Sequence, residues 1–191
     1  MPLDSESRWR LVRKNKEKGL DKKVELDYFI RDATVEDLAA ICEIYNFYIA
    51  NSVVTFDIDA LKVSDWQEKF HWIKGLNFPF VVAQSDGGQV LGFAYVGPWR
   101  QKAAYKRTVE NSIYLRPAAT GKRVGSKLLE VLINKSREVG IKEIVAVISD
   151  KGAESSIALH ESFGFKSQGH LAKVGFKFGR WLGVVMLQKS I

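Results

Sequence analysis

The sequence predicts one α/β domain in which a mixed, mostly antiparallel sheet is flanked by helices. Its length of 191 residues suits a single domain with a sizeable core. The turn at residues 86–88, Asp-Gly-Gly, joins two apolar runs and predicts a hairpin, hence antiparallel pairing. A strand, a helix and a strand follow one another over residues 108–149, which predicts one parallel, right-handed crossover. The sheet is therefore expected to be mixed rather than doubly wound.

Composition excludes several classes of protein. With 46% apolar and 27% charged residues, the chain is neither collagen-like nor disordered. Cys42 is the only cysteine, which excludes an intrachain disulfide and a Cys-based metal cluster, and no metal is expected. No apolar run approaches the roughly 20 residues of a membrane span, and the N-terminus lacks a secretion signal. We expect a cytoplasmic protein that binds no membrane.

The charge distribution separates an arm from the domain. The formal net charge of +7 favours anionic partners such as phosphates, cofactors or nucleic acid. Residues 1–27 carry eight basic residues interleaved with six acidic ones and few apolar residues. This pattern predicts a solvated arm, followed by a domain over residues 28–191. Contact of the arm with nucleic acid is the alternative, which its small net charge disfavours.

In the first half, residues 28–31 form a predicted strand, and residues 34–37, Thr-Val-Glu-Asp, form a capping box that opens a helix. Four apolar residues of that helix share one face: Leu38, Ile41, Ile44 and Tyr45. A similar box at residues 64–67, Ser-Asp-Trp-Gln, is expected to open a second helix. Residues 80–84 and 90–96 are the strands of the hairpin.

The second half contains the crossover and a final pair of strands. The predicted elements, in order, are a strand over residues 108–115, a helix over 124–139, a strand over 142–149, a short helix over 155–163 and strands over 165–174 and 181–188. Gly140 and Gly164 end the two helices.

The turn into the long helix predicts an anion site. Helix N-termini present free N–H groups and a positive dipole end, and here Gly121, Lys122, Arg123 and Gly125 accompany them. The turn is not a Walker A loop, because Arg116 stands where that motif has glycine and Lys122 is followed by arginine. Nor does its spacing fit the dinucleotide-binding glycine motif.

This turn resembles the cofactor loop of the GNAT acyl-CoA N-acyltransferases, (Arg/Gln)-x-x-Gly-x-(Gly/Ala). Gly125 matches its last position, whereas Thr120 replaces Arg/Gln and Arg123 replaces the middle glycine. Within that superfamily the chain is most similar to phosphinothricin-type acetyltransferases. The matching pieces are residues 30–34, 54–56, 92–100, 145–148, 160–165 and 175–181, with Tyr105, Glu110, Tyr114 and Pro117. The resemblance implies the GNAT fold and direct acetyl transfer from acetyl-CoA to an amine.

Two residues are candidates for proton transfer. An α-amino group is mostly ammonium at neutral pH, so its acetylation needs a general base. Alternation places Glu110, Ser112 and Tyr114 on one face of their strand, and the resemblance puts the family's catalytic carboxylate at Glu110. A surface glutamate on an edge strand is the alternative. His160 occupies the position of a family histidine that relays the amine's proton or protonates the thiolate. A helix-capping or core-edge histidine is the alternative.

The implied acetyl-CoA site follows the strand and the turn. Its candidates are Ile113, Leu115, Thr120, Gly121, Lys122, Arg123, Val124, Gly125 and Ser126. A strand opening beside Glu110 would offer the N–H of Ile113 or Leu115 to the oxyanion at the thioester carbonyl. At a helix start we expect a negative φ for Arg123, so that its guanidinium adds a phosphate contact. Direct transfer leaves no nucleophilic role for Cys42, which is expected to be buried.

The substrate side of the site is less specified by the sequence. The candidates, on loops near strand ends and on the C-terminal hairpin, are Phe56, Trp99, Arg100, Tyr105, Lys177 and Trp181. Such aromatic residues also seal core edges or dimer faces. Arg100 or Lys102 would hold an acidic group of the substrate by charge-assisted hydrogen bonds, and a solvated side chain is the alternative for either. The aromatic hairpin favours a homodimer. Ala153 and Gly183 stand where the family usually has Asn and Asp, so the resemblance does not determine which substrate is acetylated.

The expected function is acetylation of the α-amino group of a small amino acid or analogue, such as phosphinothricin, methionine sulfone or methionine sulfoximine. One alternative is a GNAT enzyme that acts on another amine, including polyamines or protein N-termini. Another is a non-catalytic module that binds CoA or nucleic acid, against which an intact Glu110 argues.

Overall fold

A computed structural model describes residues 27–191 as one seven-stranded sheet with helices on both faces. The predicted arm lies outside these residues, apart from Asp27. The strands are β1 (Tyr28–Asp32), β2 (Phe80–Ser85), β3 (Val90–Pro98), β4 (Thr108–Leu115), β5 (Glu143–Ser149), β6 (Lys166–Lys177) and β7 (Arg180–Ser190). The helices are α1 (Leu38–Asn51), α2 (Val63–Gly75), α3 (Val124–Glu138) and α4 (Glu154–Ser162). Short 3₁₀ turns cover Val35–Asp37, Ala103–Tyr105 and Pro117–Ala119.

The sheet has the order β1-β2-β3-β4-β5-β7-β6. Only the β4–β5 pair among these neighbours is parallel, and the other five are antiparallel. The predicted mixed sheet, its hairpin and the order of its elements are therefore confirmed.

The sheet has a core on each face. On one face α1 and α2 cover the sheet, and all four residues of the predicted apolar face of α1 are buried. On the other face α3 packs against β1 to β4. The side chains of β4 alternate between the two cores. Val109 and Ile113 belong to the core under α3, and Tyr114 belongs to the core under α1 and α2. The predicted period-2 alternation of β4 is thus correct.

The two helix starts of the first half differ from each other. At Thr34 the backbone N–H donates to Asp37 Oδ2 at 2.8 Å, as the predicted capping box requires. The predicted cap at Ser64 is wrong, because α2 begins at Val63 and the backbone N–H of Lys62 donates to Asp65 Oδ2 at 2.7 Å. Asp65 lies three residues after Lys62, which makes its carboxylate the acceptor for the first exposed N–H.

A gap opens between β4 and β5. These strands pair over three residues only, and the last pair is Glu110 with Val145. Beyond it β4 stays paired with β3 as far as Leu115, while β5 stays paired with β7 as far as Ser149. The two strands therefore diverge in the middle of the sheet, beginning at Asn111.

Candidate active site

Two adjoining cavities lie along this gap. The larger has a volume of about 710 Å³ and the smaller about 100 Å³. Four residues line both: Val54, Ile113, Tyr114 and Ser156. The larger cavity extends to the turn before α3, and the smaller one reaches Glu110 and His160. The divergence of β4 from β5 thus connects the predicted anion turn to both candidates for proton transfer.

Most of the predicted cofactor residues line the larger cavity. These are Ile113, Leu115, Thr120, Gly121, Arg123, Gly125 and Ser126. Val124 is fully buried in the core and Lys122 is exposed outside the cavity, so neither lines it. Ala153, which departs from a family asparagine, lines it as well. A Cβ at Gly125 would lie 3.4 Å from Leu159 and 3.5 Å from Leu115, in ordinary van der Waals contact with both.

The backbone of Arg123 contradicts our expectation. Its φ is +62° and its ψ is 4°, in the left-handed region, whereas a negative φ was expected. Left-handed backbone brings Cβ close to the next carbonyl oxygen and costs a non-glycine residue roughly 1–2 kcal/mol. The chain reverses from the turn Pro117–Ala119 into α3 through two such residues, Gly121 at φ +73° and Arg123. A glycine at position 123 would therefore relieve strain that this arginine retains.

The opened edge of β4 exposes two backbone donors. The N–H of Arg116 donates to the Leu91 carbonyl on β3 at 2.7 Å. Because successive N–H groups of a strand point to opposite sides, those of Ile113 and Leu115 point away from β3, toward the gap. Tyr48 on α1 donates its hydroxyl to the Leu115 carbonyl at 2.7 Å and so braces this end of the strand.

Glu110 lies where the paired part of β4 ends. It is half-buried and lines the smaller cavity. Burial raises the pKa of its carboxyl group, and the positive charge of Arg100 partly opposes that shift. Arg100 is exposed, with its guanidinium 4.9 Å from the centre of the Trp99 ring. A carboxylate with a raised pKa binds a proton more readily than an exposed one, as a general base requires.

His160 reaches the same cavity from α4. Only 3% of its surface is exposed, and burial lowers the pKa of the imidazole. Its Nδ1 lies 2.7 Å from the carbonyl oxygen of Ser156 and its Nε2 lies 2.9 Å from Nδ2 of Asn111. The sequence analysis missed Asn111, which lies 49 residues before His160. Its signal in the sequence is a polar residue on the core-facing side of a strand, next to a candidate base.

The predicted substrate residues are not brought together in the same way. None of the six lines either of the two cavities. Lys177 is 4% exposed, and its Nζ donates to the Thr55 carbonyl at 2.9 Å. Phe56 packs against Gly175, where a side chain would begin 2.4 Å from its ring. Trp181 stacks edge-on against Phe176 at 5.4 Å, and both are more than half exposed.

The structure gives a physical reason for glycine at position 183. An added Cβ would lie 2.5 Å from Asp150 Oδ2 and 2.7 Å from His170 Nε2. Those two atoms are 2.9 Å apart, and the other Asp150 oxygen accepts the Gly183 N–H at 3.0 Å. The pair of side chains fills the space that a side chain on β7 would need.

Other expected features concern the rest of residues 27–191. Cys42 is buried as expected, and burial raises the pKa of its thiol. Within this range no group of three or more His, Cys, Asp or Glu side chains could hold a metal ion. No helix in the described part of the chain is long and apolar enough to span a bilayer.

Comparison with known proteins decides the family. Residues 30–186 match the family model described as an acetyltransferase (GNAT) domain. The chain belongs to the GNAT acetyltransferases. This assignment confirms the resemblance and the fold expected from it.

Three relatives show how far the similarity of this acetyltransferase extends. An L-methionine sulfoximine/L-methionine sulfone acetyltransferase of Pseudomonas aeruginosa is 37% identical over 162 residues, which cover 85% of this chain and 94% of that one. A phosphinothricin N-acetyltransferase of Alcaligenes faecalis is 33% identical, covering 85% of this chain and 82% of that one. A phosphinothricin acetyltransferase of Sinorhizobium meliloti, solved with acetyl-CoA, is 39% identical with a TM-score of 0.82, covering 86% and 88%.

Proposed function

We propose that this GNAT enzyme transfers an acetyl group from acetyl-CoA directly to the α-amino group of a small amino acid or analogue, with Glu110 as general base. The observation that carries the proposal is the placement of Glu110. It is a half-buried carboxylate of raised pKa, in a small cavity that continues into a cleft ending at a helix N-terminus. Among residues 27–191, no other acidic residue lines these two cavities.

The residues of the larger cavity fit acetyl-CoA. The N-terminus of α3 and the Arg123 guanidinium suit the phosphates, and Gly121 and Gly125 leave room beside the turn. When bound, acetyl-CoA supplies an acetyl group activated as a thioester. The N–H groups of Ile113 and Leu115 would donate to the carbonyl oxygen as it gains negative charge.

Glu110 and His160 would handle the proton. The Glu110 carboxylate removes a proton from the ammonium form of the substrate and leaves the nitrogen lone pair free to attack. His160 presents a neutral imidazole, so its proposed part is to accept a proton from the amine rather than to begin as an acid. Arg100, whose charge already acts on Glu110, is the candidate partner for an acidic group of the substrate.

The proposed substrate class agrees with the activities after which the bacterial relatives are named, phosphinothricin and methionine sulfoximine or sulfone acetylation. Acetylation of another amine, such as a polyamine or a protein N-terminus, is the alternative. A non-catalytic CoA-binding role is disfavoured by the placement of Glu110. We further propose a homodimer that buries Phe176, Phe178 and Trp181, which are more than half exposed in the single chain. Its proposed location is the cytoplasm.

A substrate panel with two matched variants tests the function. Thiol release from acetyl-CoA is measured with phosphinothricin, L-methionine sulfone, L-methionine sulfoximine, a polyamine and a peptide with a free N-terminus. Glu110→Gln should lower amino-acid turnover at neutral pH by about 10²–10⁴-fold, with recovery at high pH. Glu68→Gln, on the exposed side of α2, is the control and should retain wild-type turnover. Equal activity of both variants would exclude Glu110 as the base.

A further inference from the structure

The Asn111 side chain bridges the gap between β4 and α4. Asn111 lies one residue beyond the last β4–β5 pair, and its Nδ2 reaches His160 Nε2 at 2.9 Å. Asn111 is 7% exposed and His160 3% exposed. A hydrogen bond this deeply buried holds the imidazole in one orientation at the wall of the smaller cavity.

The partners of His160 determine which nitrogen carries the proton. A carbonyl oxygen only accepts hydrogen bonds, so Nδ1, at 2.7 Å from the Ser156 carbonyl, carries the hydrogen. In a neutral imidazole Nε2 is then an acceptor, and it receives the hydrogen bond that Asn111 Nδ2 donates. The lone pair of Nε2 is therefore already in use.

The amide of Asn111 also holds an unused acceptor. Its Oδ1 is buried and has no hydrogen-bond partner among the described residues. If Nε2 took up a second proton, it would face Nδ2 with donor against donor. Half a turn of the amide exchanges Nδ2 for Oδ1 and gives the new Nε2–H an acceptor. A carboxamide offers a donor and an acceptor from one position, which an aliphatic side chain cannot.

We propose that Asn111 is a positioning residue that keeps neutral His160 protonated at Nδ1 and, by rotating its amide, lets Nε2 take up a second proton. The inference deepens the proposed function: Glu110 removes the first proton, from the ammonium before attack, and the proton that Nε2 takes up is the second, which the nitrogen loses once it has bonded to the acetyl carbon. An N–H bond of that positively charged nitrogen breaks, an Nε2–H bond forms, and the positive charge moves from the nitrogen to the imidazole. Release of that proton to water restores the neutral ring.

The ionisable surroundings of His160 are few. The other titratable residues that line the smaller cavity are Glu110 and Tyr114, both on β4. Burial raises the pKa of Tyr114 well above its ordinary value, so the phenol stays neutral. The cavity residues of β5 are Ala146, Val147 and Ile148, and α4 adds Ser156. Within the described part of the chain, Glu110 is thus the one acidic group of this cavity, and Asn111 supplies the direct contact to Nε2.

Nitrogen-15 NMR of histidine-labelled protein tests the inference without turnover. The wild type should show His160 protonated at Nδ1 and bare at Nε2 at neutral pH. Asn111→Leu should lower the His160 titration midpoint by about one pH unit, a tenfold loss of proton affinity. The reason is that the charged ring loses a stronger hydrogen bond than the neutral ring does. Asn111→Asp should raise the midpoint, because a carboxylate favours the imidazolium. The NMR signals of His170, half exposed and paired with Asp150, are the internal control and should be the same in all three proteins.

Kinetics separate this inference from the proposed function. Amino-acid turnover by Asn111→Leu should fall about tenfold in kcat, with the KM for acetyl-CoA unchanged and Asn111→Asp less affected. If wild type acetylates no amino acid, the proposed function fails while the NMR titration still decides the role of Asn111. A neutral His160 protonated at Nε2 overturns the inference. A midpoint that is the same in the wild type and in the folded variants overturns it too, and Asn111→Asp alone suffices if Asn111→Leu does not fold.

Discussion

Arg123→Gly should stabilise the fold while it weakens acetyl-CoA binding. Glycine removes roughly 1–2 kcal/mol of strain at φ +62°. It also increases the conformational entropy of the unfolded chain, which destabilises the fold by about 0.5–1 kcal/mol. The net gain is about 0–1.5 kcal/mol, with a midpoint of about 0.75 kcal/mol. For a domain of this size the midpoint raises Tm by about 1.5–3 °C.

Arg123→Ala is the matched control for this change. Both variants lose the guanidinium and with it the same unfavourable interaction with the positive end of α3. Alanine, however, keeps the strained backbone. The difference in Tm between the two variants therefore measures the backbone strain less the unfolded-state entropy that glycine adds. Thermal unfolding without ligand is the assay. If Arg123→Gly is no more stable than Arg123→Ala, the strain does not exceed that entropy and the reasoning fails.

Calorimetry on the same variants measures the charge. Arg123 lines the larger cavity, and a charge-assisted hydrogen bond from its guanidinium to a phosphate would contribute about 1.5–3 kcal/mol. Both variants should therefore bind acetyl-CoA at least about tenfold more weakly. Binding should also depend less on salt, with an unchanged rate at saturating acetyl-CoA. Unchanged binding would mean that the turn holds CoA by its backbone alone.

Three further predictions follow from burial and packing. Burial raises the pKa of the Glu110 carboxyl, so this group binds its proton more tightly in the folded state than in the unfolded state. Its contribution to stability therefore falls as pH rises through the raised pKa. Glu110→Gln should raise Tm at pH 7 and have no such effect at pH 3. The kcat/KM for the amino acid should fall as pH drops through the same raised pKa, and not at the lower pH typical of an exposed glutamate. If kcat/KM of Glu110→Gln falls at low pH as that of the wild type does, this prediction is contradicted. Gly183→Ala should lose about 1–3 kcal/mol in urea unfolding, because its Cβ would meet Asp150 and His170 within 2.7 Å, whereas Gly97→Ala, with 3.9 Å to its nearest neighbour, should be nearly neutral.

The order of the elements followed from local patterns, whereas side-chain partners did not. Turn residues and alternating apolar positions act over a few residues, so the hairpin and the two faces of β4 were predicted correctly. The bonds from Asn111 to His160 and from Lys177 to Thr55 join residues 49 and 122 positions apart, which no local pattern records. The left-handed backbone at Arg123 was missed because the prediction followed the general preference of L-residues for negative φ. The glycine that related loops carry at this position pointed to a positive φ instead.

The three-residue contact between β4 and β5 marks a line along which the fold can open locally. It divides the described chain into a part built on β1 to β4, with α1, α2 and α3, and a part built on β5 to β7, with α4. Beyond that contact, the Asn111–His160 and Lys177–Thr55 bonds join the two parts. The core under α3 is also shared by both, since Ile144 and Phe165 belong to it with Leu128. Opening along this line should cost less than complete unfolding, so amide hydrogens nearby should exchange by local opening. A ligand in the cleft contacts both parts at once, and its binding should slow that exchange in proportion to its occupancy.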